Sequence, residues 1–207
     1  MRIIVIASLL FLASCVSTQA PTGNTPPIST GAEVRTIATP TIGSGRTQVE
    51  IFADFQCPAC ISFNETIQPI FEEYAASGRL MITYRQFPLS MHKNAKLDAI
   101  AALCSAEQGK YLDYKKALYA MEKAKAGKAA TDEDRIALAT ATGLATAQFT
   151  TCLSSRAYEK QVEADIALGD SKGVSGTPTI YLDGIKLDIS LFRDLAGFRT
   201  FLESRMK

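Results

Sequence analysis

Two cysteines three positions apart, in Phe52-Ala53-Asp54-Phe55-Gln56-Cys57-Pro58-Ala59-Cys60, are the residues of this chain best placed to do chemistry. A C-x-x-C pair at a helix start suits thiol–disulfide exchange, in which one thiolate attacks a disulfide and a nearby thiol resolves the mixed disulfide. Pro58 lacks an N–H and has a fixed φ, both suited to the first helical position, so Cys57 falls at the N-cap. Its sulfur then faces the unpaired N–H groups of Ala59 and Cys60 and the positive end of the helix dipole, which favour thiolate over thiol. Cys57 is the expected nucleophile. Cys60 lies one turn on, in line with Phe63, Ile67, Ile70, Phe71 and Tyr74, a buried stripe by its spacing, and is the expected resolving sulfur. The competing readings are half of a zinc site and an inert structural pair. Structural zinc usually takes four Cys or His ligands, often in two close pairs, whereas this chain has one His and no second C-x-x-C. No metal and no organic cofactor are expected; the redox group is the Cys57–Cys60 disulfide itself.

Periodicity predicts the elements that position this pair. Gln48 to Phe52 reads as the strand entering the motif, preceded by a Gly-Ser-Gly turn at 43–45 and a short strand around Val34 to Ile37. The helix after it runs to about Ala76, kinked at Pro69 and stopped by Ser77-Gly78. Arg79 to Phe87 alternates as a second strand ended by Pro88, and a single helical crossover makes the two strands parallel neighbours. From Lys93 to about Lys172 the pattern is helical: an Ala-rich stretch to Gln108, then Tyr111 to Lys125, a helix capped at Thr131, and helices around Thr146 to Ser154 and Arg156 to Asp170. Thr179 to Leu182, Asp183-Gly184 and Ile185 to Leu187 form a hairpin signal, and Ser190 opens a last helix carrying Leu191, Leu195, Phe198, Phe201 and Leu202. The order βαβ, helical block, ββα describes an α/β domain interrupted by a helical insertion.

Residues 1–15 have the pattern of an export signal: Arg2, an apolar core from Ile3 to Leu12 too short to span a bilayer, and small residues before a cleavage point. The segment ends in Leu12-Ala13-Ser14-Cys15, which resembles the bacterial lipobox, whose cysteine is lipidated; cleavage after Ala20 is the alternative. Acylation of Cys15 would hold the protein on a membrane without a spanning helix. Residues 16–32, rich in Thr, Ser, Pro and Gly, read as a flexible tether to a domain at 33–207 with its helical insertion at about 90–172. Setting Cys15 aside leaves four cysteines, an even number in a compartment where disulfides persist. A net charge of +1, from 22 basic and 21 acidic residues, gives no sign of a nucleic-acid partner. Lys115, Lys116, Lys123, Lys125 and Lys128, interleaved with Asp113, Glu122 and Asp132, read as a solvated helix face.

Asp54-Phe55-Gln56-Cys57-Pro58-Ala59-Cys60, the helical block between the two halves, and Gly173-Val174-Ser175-Gly176-Thr177-Pro178-Thr179 before the hairpin together resemble the DsbA-like branch of the thioredoxin superfamily, in a lipoprotein form. The resemblance implies a thioredoxin fold with an inserted helical subdomain. It also implies that Pro178 is cis beside the C-x-x-C and that the Thr177 backbone pairs with substrate; a trans proline opening a strand is the alternative. Two departures matter. Oxidising relatives carry His between the cysteines where this chain has Pro58-Ala59, and some carry a buried acid where it has Ile51. Asp54 matches an acid of this branch and either relays protons or tunes Cys60, or else stabilises the turn. Cys104, on a stripe with Leu97, Ile100 and Ala101, and Cys152, beside Phe149 and Leu153, face the subdomain core. The resemblance pairs them in a structural disulfide, with two buried thiols as the alternative. His92, the only histidine, reads as a capping or packing residue.

The activity this reading implies is that of an exported thiol:disulfide oxidoreductase of the bacterial cell envelope, held to a membrane by its lipid anchor and acting as a monomer. It donates disulfides to unfolded or reduced exported proteins and is reoxidised by a membrane partner of the DsbB or vitamin K epoxide reductase-like kind. A reductase or isomerase with the same site, and a non-catalytic peptide-binding chaperone lipoprotein, are the alternatives.

Overall fold

The computed structural model describes residues 35–206. Cys15, the expected signal segment and the tether lie outside the described residues. The strand leading into the C-x-x-C is β2 (Thr47–Ala53), preceded by the short β1 (Thr41–Gly43). Two helices follow, α1 (Pro58–Thr66) and α2 (Gln68–Ala76), and then β3 (Leu80–Gln86). Five helices intervene: α3 (Ala95–Ala106), α4 (Tyr111–Lys125), α5 (Asp132–Ala141), α6 (Thr146–Ser154) and α7 (Glu159–Ser171). The hairpin β4 (Thr179–Leu182) and β5 (Ile185–Lys186) leads through a 3-10 helix (Ile189–Arg193) to α8 (Leu195–Arg205). The sheet order is β1-β3-β2-β4-β5, with β2 parallel to β3 and antiparallel to β4. This is the expected thioredoxin fold with a helical insertion.

Central β2 is covered on both faces, so adjacent residues along it enter different clusters. Val49 and Ile51 join the main core with Phe63, Ile67, Phe71, Phe198 and Leu202, whereas Phe52 packs with Phe87, Val174 and Tyr181. Gly169 of α7 lets the second cluster close, since a Cβ there would lie 2.4 Å from the Phe87 ring. The β4–β5 turn places both Asp183 (φ 48°) and Gly184 (φ 81°) in the left-handed region, as a two-residue hairpin requires.

The insertion is tied together by covalent and ionic links. Cys104 of α3 and Cys152 of α6, 48 positions apart in sequence, are bridged, with Cα atoms 5.9 Å apart. Arg135 of α5, fully buried, forms an ion pair with Asp98 of α3 at 2.7 Å. Thr131 and Asp134 form a reciprocal capping box at the start of α5.

Several expectations change. The helix after the C-x-x-C is divided at Ile67 rather than bent, because Pro69 cannot donate to Glu65 and its ring crowds that carbonyl. The short first strand lies at 41–43, paired with β3, while residues 35–40 belong to no strand, although the Pro40 carbonyl accepts from the Tyr84 N–H of β3. The C-terminal helix does not open at Ser190: Asp188 caps the 3-10 helix and Asp194 caps α8, leaving Leu195 45% exposed at its first turn. Lys115 is not on a solvated face. It is buried against the Tyr84 ring, 4.9 Å from its centroid, and reaches Asn64 and Glu72, while burial lowers its pKa to about 8. Glu122 is buried as well.

Closing a loop of this size by a covalent link stabilises a domain by about 2–4 kcal/mol. The Cys104→Ala/Cys152→Ala variant is therefore expected to unfold at lower temperature than the parent, by calorimetry, and an unchanged midpoint would show that the bridge adds nothing.

Candidate active site

The site grows from the end of β2. There Asp54 turns the chain by accepting the Gln56 N–H through Oδ1 at 2.7 Å, and its backbone carbonyl accepts the Cys57 N–H at 3.3 Å. Its other oxygen, Oδ2, accepts the Leu89 N–H at 2.8 Å and meets His92 Nδ1 at 2.7 Å. A carboxylate that receives two backbone N–H groups is the acceptor for the imidazole too, so Nδ1–H donates. Asp54 is fully buried and joins the segment after β2 to the segment after β3. Of its two expected roles the geometry shows the turn-stabilising one. His92, expected as a capping or packing residue, completes this clamp.

Gln56 carries the same turn to the insertion. Its side-chain amide donates to Asp98 Oδ2 at 2.7 Å, and Asp98 holds Arg135, so the C-x-x-C is indirectly anchored on α3 and α5. Burial raises the Asp98 pKa, against the pull of Arg135. Ile51, where some relatives carry an acid, is buried in the apolar core, and Glu50 on β2 is engaged with Arg85 and Lys172.

Cys57 is the N-cap of α1 with Pro58 in the first turn, as the spacing predicts, and Ala59 follows. Its sulfur lies 3.2 Å from the Thr177 carbonyl, and the Thr177–Pro178 peptide is cis. Cys57 is 8% exposed and Cys60 1%. The pKa of Cys57 is lowered to about 5, mainly by the hydrogen bond from Cys60; burial opposes this, and Thr177 and the N–H groups of Cys60 and Ala59 add to the lowering. Burial, joined by the neighbouring Cys57, drives Cys60 well above the usual thiol range. The Thr177 carbonyl can accept only from a Cys57 thiol, so that contact does not favour ionisation. The Thr177 hydroxyl does lower the pKa, and its Oγ1 is buried without a hydrogen-bond partner among the described residues, so it is free to turn toward a Cys57 thiolate. Thiolate stabilisation here thus needs no histidine between the cysteines.

The arrangement gives an activated sulfur and a protonated neighbour, the asymmetry that exchange chemistry uses. Among the described residues no three His, Cys, Asp or Glu side chains gather as a metal site, and no helix is long and apolar enough to cross a membrane. The Asp54–His92 and Gln56–Asp98–Arg135 links were not foreseen. A signal for the first existed: parallel β2 and β3 end side by side, so the loops after them must meet.

Comparison with known proteins agrees with this fold. The thioredoxin family model matches residues 35–203, and the chain belongs to that family. Its fold is that of DsbA-like proteins. It superposes on DsbA of Chlamydia trachomatis with a TM-score of 0.69 at 20% identity, covering 86% of this chain and 98% of that one. For oxidised BdbD of Bacillus subtilis the TM-score is 0.65 at 22% identity, covering 81% and 92%. In sequence, it is 27% identical over 138 residues to the probable disulfide bond formation protein D of Bacillus anthracis, covering 64% of this chain and 63% of that protein. A similar stretch, 28% identical, matches 19% of the Na(+)/H(+) antiporter NhaA 3 of Salinispora tropica. The chain thus spans less than two thirds of either relative.

The lowered Cys57 pKa has a direct readout. In reduced protein, Cys57 alkylation by iodoacetamide is expected to rise with pH to a plateau with a midpoint near 5, whereas an ordinary thiol keeps accelerating toward about pH 9. A midpoint above about 8 would contradict the stabilised thiolate.

Proposed function

We propose that this protein is an exported thiol:disulfide oxidoreductase that donates disulfides to other proteins, with Cys57 as the nucleophilic and leaving sulfur and Cys60 as its resolving partner. The observation that carries the reading is the contrast between Cys57, with its pKa lowered to about 5, and Cys60, raised, at the N-terminus of one helix. Starting from the Cys57–Cys60 disulfide, a substrate thiolate attacks Cys57 Sγ, and the bond to Cys60 breaks. Cys60 takes the electron pair and then a proton. The substrate's second thiolate attacks its own sulfur in the mixed disulfide, and Cys57 leaves as a thiolate. Two substrate thiols are thereby oxidised to one disulfide while the protein's disulfide is reduced to a dithiol. A stable Cys57 thiolate is a good leaving group and makes the reduced protein the favoured product, which suits an oxidant.

Two surfaces support a polypeptide substrate. An extended chain can pair with the Thr177 backbone beside the sulfur, giving recognition through main-chain groups. A shallow apolar groove lined by Ala59, Phe63, Pro178, Ile189 and Phe192 adjoins it, with Ile189 66% exposed. Unfolded chains offer apolar side chains to such a surface. The export pattern of residues 1–15 and the lipobox-like Cys15 support an activity outside the cytoplasm on a lipid anchor, and a membrane protein of the DsbB or vitamin K epoxide reductase-like kind would restore the disulfide.

A trap tests the assignment. Mixing the reduced Cys60→Ser variant with an unfolded protein that carries a single cysteine, activated as a mixed disulfide with thionitrobenzoate, is expected to release thionitrobenzoate and accumulate a covalent Cys57 adduct that dithiothreitol releases. The Cys57→Ser variant gives none. Oxidation of substrate by the Cys57→Ser/Cys60→Ser double variant would overturn the reading.

A further inference from the structure

A cleft of about 690 Å³, separate from the apolar groove, is bounded by the start of α1 beside the dithiol, the loop before α3 and the segment after α4. Gln56, Pro58 and Ile61 form one wall and Met91 and His92 another, with Glu122 also lining it. Glu122 is 5% exposed, and its Oε1 is buried without a hydrogen-bond partner among the described residues. A buried carboxylate oxygen with no donor is a costly feature unless something occupies the cleft.

The charges around Glu122 define what it lacks. Asp98 of α3 and Asp54 of the C-x-x-C turn both oppose its ionisation, and with burial as the largest cause they push its pKa up to about 7. Arg135 of α5 and Lys125 of α4 attract it, yet Arg135 is committed to Asp98 and Asp132, and Lys125 to Asp134. His92 is held by Asp54, and Lys123 by Glu65. Lys93 and Lys128 stand exposed at the rim, where solvent and salt screen them.

We infer that this cleft is a subsite for a cationic side chain of the substrate polypeptide, an arginine, bound by the Glu122 carboxylate. A guanidinium brings the donor that Oε1 lacks and a positive charge to offset Asp98 and Asp54, and it leaves water more readily than an ammonium. Its methylene stem lies along Pro58, Ile61 and Met91, the last 76% exposed and free to cover it. Binding requires ionised Glu122, so the arginine preference grows as pH rises through about 7 and fades below it. This inference rests on the thiol-exchange reading and deepens it by naming a side chain that the site selects.

The test uses reduced full-length protein and short cysteine peptides activated as mixed disulfides with thionitrobenzoate. Cys57 attacks the peptide sulfur, the peptide–thionitrobenzoate bond breaks, and the released thionitrobenzoate anion is read by its absorbance. Peptides carry arginine or its neutral isostere citrulline at each of the positions flanking the cysteine. At about pH 8, arginine is expected to raise the second-order rate constant over citrulline by about fivefold or more at one of these positions. The ratio should fall toward one at about pH 5.5, and because it compares two peptides on one protein, the ionisation of Cys57 cancels. In the Glu122→Gln variant the ratio at about pH 8 should lie within about twofold of one. Equal rates for arginine and citrulline at every position in the parent protein would overturn the subsite while leaving the exchange reading intact. Failure of Cys57 to release thionitrobenzoate from any peptide would overturn both.

Discussion

The sulfur of Cys57 depends on its place at the first turn of a helix, and much of the fold serves to keep it there. A thiolate buried to 8% exposure would be costly were it not met by Cys60, Thr177 and the N–H groups of Ala59 and Cys60. Those donors come from two places: the helix itself and the loop before β4. Their meeting requires β2 and β4 to be neighbours, which is how the sheet is ordered. The central position of β2 is therefore a functional constraint as well as a packing one.

Holding the start of α1 at a fixed angle falls to two polar links. Asp54 joins it to the loop after β3 through Leu89 and His92, and Gln56 joins it to the insertion through Asp98 and Arg135. Buried polar networks of this kind are stable only when their members are satisfied, and both are nearly closed. Glu122, whose Oε1 is buried without a donor, faces a cleft. The helical block is thus more than a decoration on the thioredoxin core, because it supplies Asp98, Arg135 and Glu122 to the surroundings of the dithiol.

Much of this was legible from local sequence. C-x-x-C spacing with Pro58 placed Cys57 at the N-cap, and the three–four periodicity of Phe63, Ile67 and Phe71 placed the buried stripe, because both are properties of a single helix. Helices α4 and α6 begin and end where their apolar patterns do. What was missed was non-local or depended on competition. A three-residue edge strand at 41–43 has no periodicity of its own and exists because β3 offers a partner. Two aspartates, Asp188 and Asp194, competed with Ser190 as caps, and a single pattern of apolar residues could not say that the helix would be interrupted. Lys115 and Glu122 looked solvated because charge was read along one helix, while the Tyr84 ring and Glu72 that receive Lys115 lie on other elements.

The most direct measurement of the central claim is the reduction potential of the Cys57/Cys60 couple, equilibrated against glutathione buffers with the redox state read by mass. A thiolate stabilised as described favours the dithiol form, and the account predicts a potential of about −120 to −180 mV, the range of disulfide donors. A value near about −270 mV, as in thioredoxin, would mean that the dithiol is not favoured in this way and that electrons flow from this protein to its substrates.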